Sequence, residues 1–339
     1  MSIRAFGEVD GQPVHEITIG SAAGAEAKIL TYGALVRDMI VPGPNGPQRV
    51  VLGLDSIEDY RAHSPSFGIT AGRYANRIAH GRFHIDGRAC QLDLNQAGKH
   101  TLHGGSKGFG KRVWQLAHAD ARSVALTLVS PDGDMGFPGT LTVTTRYVMV
   151  EPGTLRVEMT ATTDEATLVN LAHHTYWNLD GSPDVLDHEL QIAAGHYTPV
   201  DDDLITTGEV LSVAGTAFDF RMPRPIRFPG GDGPFAYDHN WVLAGARPSP
   251  GQLRHALSLR SRRSRLALEV HTTEPGIQVY TGGKLNVAVP GLGGATYGPF
   301  GGVAIEPQVF PDSPNKPHFP DPVLRSGDVY RQVSEYRVS

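Results

Sequence analysis

Cysteine is almost missing. Cys90 is the only one in 339 residues, which excludes an internal disulfide and any Cys-x-x-Cys metal knuckle. It falls in the alternating run RACQLDL at 88–94, where a thiol packs as a small apolar group. Long hydrophobic runs are missing too: no stretch approaches the roughly 18 apolar residues that suggest a membrane span. The opening residues MSIRAFGE carry no apolar core of a secretory signal. A cytoplasmic protein without a membrane partner is expected. Charge is sparse: Asp, Glu, Lys and Arg make up 19% of the chain, with a net charge of −5. No basic field recruits a polyanion, so nucleic acid is set aside as a partner. The densest basic cluster, RSRRSR at 260–265, lies between two alternating runs and reads as a solvated hairpin tip.

The usual cofactor signatures are also lacking. There is no G-x-G-x-x-G opening a helix, no P-loop and no H-E-x-x-H. GGSKG at 104–108 formally matches G-x-S-x-G, but FGKRVW at 109–114 does not read as the helix a nucleophile elbow needs. A turn is expected there. The pairs His100/His103 and His173/His174 have no acidic neighbour at ligand spacing. No cofactor and no metal are therefore expected. Long 3.6-residue apolar stripes are absent as well, leaving room only for short helical turns, for example around 56–62.

What the chain does have is glycine and proline, 40 and 25 residues, spread along its length as turn formers. Turn clusters fall at 43–47, 131–134, 151–153 and 230–234. Between such clusters, the stretches 125–129, 141–150, 155–163 and 266–272 alternate apolar and polar residues and are rich in Val, Thr, Leu and Tyr. These are half-buried strands. Strand after strand at this spacing predicts an all-β, antiparallel sandwich or barrel. No linker or internal repeat divides it, so one domain, 1–339, is expected.

Several polar residues stand in apolar, aromatic or glycine-rich surroundings. Glu306 lies in GVAIEPQ at 302–308, and His173 and His174 stand beside Tyr176 and Trp177 in NLAHHTYWNL at 170–179. Asp238 lies in YDHNW, His103 in LHGG, and Arg73 and Arg77 flank Asn76 in GRYANRI. A carboxylate on an apolar strand is costly to bury unpaired, so it normally has a partner or a task. Together with Trp and Tyr, such groups suggest a sugar pocket, where aromatic faces cover C–H surface and charges bind hydroxyls.

At these residues the chain resembles the aldose 1-epimerases, the galactose mutarotases. Eight ordered blocks carry the resemblance nearly end to end: GRYANRIAHGRF at 72–83; LHGG at 102–105 with Gly108, Phe109 and Trp114; NLAHHTYWNL at 170–179; YTPVDDDLITTGE at 197–209; FDFR at 218–221; YDHN at 237–240; TEPGIQVYTG at 273–282; and EPQVFPDSPN at 306–315. The resemblance implies a single large antiparallel β-sandwich of the galactose mutarotase type and cofactor-free interconversion of the α- and β-anomers of free aldoses such as galactose or glucose. It implies that Glu306 is the general base and His174 the general acid, with Asn76, Arg77, His103, Asp238 and Gln278 at sugar-binding positions. The substrate it implies is a monosaccharide, and a monomer or homodimer is expected. His173 and His100 stand where the family commonly has Asn, and Pro307 where it often has Thr. The alternatives are a hexose-6-phosphate 1-epimerase of the same fold, with 260–265 as its phosphate cluster, and a non-catalytic carbohydrate-binding module.

One acid and one base suffice for this chemistry. An anomer inverts by ring opening, which removes the C1 hydroxyl proton and delivers another to the ring oxygen. A carboxyl with an ordinary value of ~4.3 is ionised at neutral pH, whereas an imidazole at ~6.5 is mostly neutral. The acid role therefore predicts that negative charge from Glu306 or Asp238 keeps His174 protonated.

Overall fold

The computed structural model describes residues 1–228, 235–245 and 251–339. The turn cluster at 230–234 falls outside these residues. The paired strands are antiparallel and form three main sheets. A five-stranded meander runs in chain order through Ser2–Val9, Gln12–Gly20, Glu26–Leu30, Leu35–Gly43 and Gly46–Arg49. A nine-stranded sheet contains Leu141–Val150 and Thr154–Thr163, followed in space by Tyr330–Val338, Ala267–Thr272 and Arg254–Arg260. A six-stranded sheet is ordered Tyr176–Trp177, Val303–Gln308, Gly276–Tyr280, Asp238–Leu243, Ala194–Thr198 and Leu211–Ser212.

Period-two alternation explains how these sheets meet. In Leu141–Val150 every odd position is buried, so one face of the strand joins the core. The inward faces of all three sheets feed one apolar cluster that includes Ile29, Met39, Val143, Val157, Val270, Ile277 and Ile305. Trp177 of the six-stranded sheet stacks on Tyr336 of the nine-stranded sheet, with ring centroids 5.3 Å apart. The sheets therefore pack face to face as a sandwich. The basic segment 260–265 joins Arg254–Arg260 to Ala267–Thr272 as a hairpin, and Arg262 there pairs with Glu189. Cys90 is buried in the strand Arg88–Gln91.

The helical turn near 56–62 is the helix Ile57–His63, opened by Ser56, whose hydroxyl accepts a hydrogen bond from the Asp59 N–H at 3.1 Å. It is the only α-helix among the described residues, and none of their helices is long and apolar enough to cross a membrane.

Arg73 departs from its reading as one of the pocket residues. It is buried and donates to Ser130 Oγ, Thr167 Oγ1 and the carbonyls of Ser130, Pro131 and Pro138. Burial lowers its pKa to about 10, which leaves it protonated at neutral pH. Its five donors tie the 130–138 turn to the 72–78 segment that carries Asn76 and Arg77. Arg73→Ala strands several buried acceptors, at about 1–3 kcal/mol each. Urea unfolding is expected to show at least about 3 kcal/mol of lost stability, and a loss under about 1 kcal/mol would remove this bracing role.

Candidate active site

The site face of the six-stranded sheet is set by the same alternation that builds the core. In Val303–Gln308, Val303 and Ile305 enter the core, while Ala304, Glu306 and Gln308 point the other way. Glu306 pairs in register with Gln278, and Gln278 with Asn240. One step along, Ala304 pairs with Tyr280, Tyr280 with Asp238, and Tyr176 with Ala304. This checkerboard floors a cavity of ≈ 370 Å³ whose walls include Asn76, Arg77, His103, His174, Asp238 and Glu306.

Six of the seven expected site residues thus line one cavity, and Gln278 supports it from beneath. The Gln278 amide donates to Asp238 Oδ1 at 2.6 Å, and Arg77 Nη1 lies 3.7 Å from Asp238 Oδ2. Arg77 is fixed in turn by Asn76 Oδ1, which accepts from its backbone N–H at 2.8 Å, and by Gln96 Oε1, which accepts from Nε at 2.9 Å. The segments bearing Asn76 and His103 hold each other. The His103 N–H donates to the Asn76 carbonyl at 3.0 Å, and the Asn76 N–H donates to His103 Nδ1 at 3.2 Å. Behind His103 the expected turn at 104–108 is present. Gly104 sits there at φ +82°, against the Gly72 backbone where a Cβ would overlap.

His174 Nε2 lies 3.5 Å from Glu306 Oε1, both side chains being buried. Burial pushes the Glu306 carboxyl well above its ordinary value, and the nearby Asp238 charge pushes the same way. Burial also lowers His174, to about 4, against a smaller opposing pull from Asp238. This corrects the expectation that negative neighbours keep His174 protonated: withdrawal from water outweighs their attraction. Both groups favour their neutral forms in the empty cleft. His103 is held well below 6.5 by burial and by neighbouring His174, Arg77 and Lys111.

His103, His174 and Glu306 each offer an atom within 4.8 Å of the others, the spacing of a metal-ligand group. Sequence spacing hides this group, since its carboxylate comes from a distant strand. The hydrogen bonds oppose it as a metal site. With Nδ1 accepting from the Asn76 N–H, neutral His103 carries its proton on Nε2. Neither ring nitrogen then has a free lone pair for an ion. The same tautomer gives the cleft an N–H donor.

The aromatic walls come from Tyr176 and Tyr280 rather than tryptophan. Trp177 is one residue out of phase and faces the core, as Trp241 does. His173 is also turned away: Nε2 lies 2.7 Å from Thr175 Oγ1, and the ring packs between Tyr147 and Tyr336. His100 Nδ1 accepts from the His80 N–H at 3.0 Å, and Nε2 lies 3.5 Å from Asp203. It thereby braces the loop that places Leu204 in the cleft wall. Pro307 offers its carbonyl to the Gln332 amide. Nothing in the sequence singles out Gln96 or Lys284, because neither stands in unusual surroundings, and Tyr280 shows only as part of TEPGIQVYTG.

The aldose 1-epimerase family model matches residues 15–337. The chain is 39% identical to a galactose mutarotase of Bos taurus, over 92% of this chain and 90% of that protein. It is 38% identical to an aldose 1-epimerase of Escherichia coli strain K12, over 97% and 96% respectively. Its structure resembles that of a GalM/aldose epimerase homologue from C. elegans with a TM-score of 0.90 and 34% identity, covering 96% of this chain and 98% of that one. A galactose 1-epimerase from Lactobacillus acidophilus matches at a TM-score of 0.84 and 28% identity, over 100% and 98%. With the fold, the motif blocks and these relatives in agreement, the chain belongs to the aldose 1-epimerase family and is an isomerase.

Proposed function

We propose that the protein interconverts the α- and β-anomers of free aldoses such as galactose or glucose, with Glu306 and His174 as its acid–base pair. The observation that carries this reading is a buried carboxyl and imidazole 3.5 Å apart at the floor of a cavity walled by both polar and apolar side chains. Glu306 takes the C1 hydroxyl proton as His174 delivers one to the ring oxygen, and the bond between C1 and the ring oxygen breaks. The open-chain aldehyde rotates about C1–C2, and the same two groups act in reverse to close the ring on the other face. Each positioned proton transfer contributes about 10²–10⁴-fold.

The environment suits the middle of this sequence. Opening converts charged Glu306 and His174 into their neutral forms, which burial favours on both residues. The apolar surroundings therefore pull the reaction towards the aldehyde. Arg77, Asn76 and Nε2–H of His103 donate to sugar oxygens and to the carbonyl developing at C1. Asp238, oriented by Gln278 and Arg77, accepts from hydroxyls, while Tyr176 and Tyr280 cover C–H faces. The reading includes 1–339 as one working unit, supported by the core shared among its three sheets.

Among the described residues, the cationic side chains lining the cavity, apart from histidine, are Arg77 and Lys284, and Arg77 already shares its donors with Gln96 and Asp238. The segment 260–265 does not line it. This favours a free aldose over a phosphorylated hexose. Polarimetry of freshly dissolved α-D-galactose and α-D-glucose is expected to show accelerated decay to the equilibrium rotation. No acceleration by folded protein with either sugar would refute the reading.

The pair needs one shared proton. Below about pH 4 His174 also becomes protonated and no base remains; above the raised Glu306 value both are unprotonated and no acid remains. The expected kcat/KM profile has an acid limb near 4, a plateau, and an alkaline limb above the ordinary carboxyl range. An acid limb near 6.5 would contradict the lowered His174 value, and an alkaline limb within the ordinary carboxyl range would contradict the raised Glu306 value.

A further inference from the structure

Beneath the sugar floor, beside Glu306, lie buried amides that take no part in the proton transfers. The in-register row Glu306, Gln278 and Asn240 is followed on the same face by Gln308, opposite Gly276. A Cβ on Gly276 would overlap Asn240 Oδ1 and the Phe310 ring, so the missing side chain leaves room for the Asn240 amide. Asn240, Gln278, Glu306 and Gln308 are each at most 3% exposed. Six of their polar atoms have no hydrogen-bond partner among the described residues: Glu306 Oε2, Gln278 Oε1, both amide atoms of Asn240 and both of Gln308. One such atom is a local imperfection, but six in four adjoining residues form a built environment.

Buried amides and carboxylates are almost always hydrogen-bonded, and water serves where protein does not. We propose that Gln308 and Asn240 are positioning residues that hold ordered water behind the base, so that water donates to Glu306 Oε2 and favours its charged form. The inference rests on Glu306 being the base. It resolves a tension in the site, because a base must be ionised to begin the reaction, yet no hydrogen bond from the described residues reaches Oε2. The water supplies the donors on the side facing away from the sugar. His174 and the substrate then approach Oε1, and the amides orient the water without touching the reacting atoms.

The test compares wild type with Gln308→Met and Asn240→Leu, which keep side-chain bulk and remove the amides. Polarimetric kcat/KM for galactose is measured against pH, with thermal unfolding as the check on folding. Losing donors to the carboxylate raises its pKa, so the alkaline limb is expected to move up by roughly one unit or more, the size of one charge-assisted hydrogen bond. Over the plateau the rate is expected to fall about tenfold or more, as the ionised base becomes scarcer. If both folded variants keep the wild-type limb, the inference is overturned, whether or not the rate falls. Should one fail to fold, the other decides. Glu306→Gln, assayed alongside, separates the two ideas: if it is inactive while the amide variants match wild type, the base stands and the water does not. An active Glu306→Gln would remove the base assignment itself.

Discussion

Glu306→Gln is expected to yield a folded protein that binds galactose and accelerates mutarotation at least about 10³-fold less than wild type. The amide keeps the size of the carboxyl and its place opposite Gln278, but it cannot take the C1 hydroxyl proton. General acid–base groups contribute about 10²–10⁴-fold, and here the acid depends on the same shared proton. The substitution should not weaken the fold. A carboxyl whose folded pKa is raised costs stability above its unfolded value, and a neutral isostere removes that cost. The variant is therefore expected to unfold at neutral pH at the same temperature as wild type or slightly higher. Calorimetric titration with galactose checks binding, and polarimetry checks turnover. Substantial activity in the folded variant would end the base assignment.

His174→Asn is expected to lower kcat by about 10²–10⁴-fold while KM changes only several-fold. The imidazole delivers its proton as the ring opens, so its contribution belongs to the transition state more than to the bound ground state. Asn retains a polar group of smaller size at a buried position, but it cannot exchange a proton with Glu306 3.5 Å away. A variant with raised KM and unchanged kcat would make His174 a binding residue. His103 would then inherit the acid role, since its ring lies edge-on to His174 with centroids 5.1 Å apart.

Much of the scaffold was legible because alternation is a local signal. The strand Leu141–Val150 has the bounds its sequence pattern suggests, and the turns flanking it contain the expected glycine and proline. Strands of two residues, such as Thr70–Ala71 and Arg77–Ile78, are too short to show a period, yet they place Arg77. Partner strands were equally hidden, since residues 278 and 306 become neighbours only through sheet pairing.

The site was legible where a chemical group looked out of place. Glu306 stands out against Val303, Ala304 and Ile305, and His174, Asp238, His103, Asn76 and Arg77 against their own neighbours, whereas Gln278 comes only with the family resemblance. Tyr176 and Trp177 looked equivalent in the sequence, but a one-residue phase difference sends one into the cleft and the other into the core. Arg73 and Arg77 similarly differ in destination, because the chain between them turns through Asn76, at φ +62°. Protonation was the least legible property. It sums the water excluded by every packed element around His174, whereas the sequence shows only adjacent charges.

The central claim is that Glu306 and His174 act as one unit around a shared proton. Its most direct test is the polarimetric rate of the double variant Glu306→Gln/His174→Asn beside the two single variants. Residues that work as a unit show strongly non-additive losses, so the double variant is expected to be no slower than the slower single one. A loss equal to the product of the two single losses would mean that the residues contribute independently and would contradict the account.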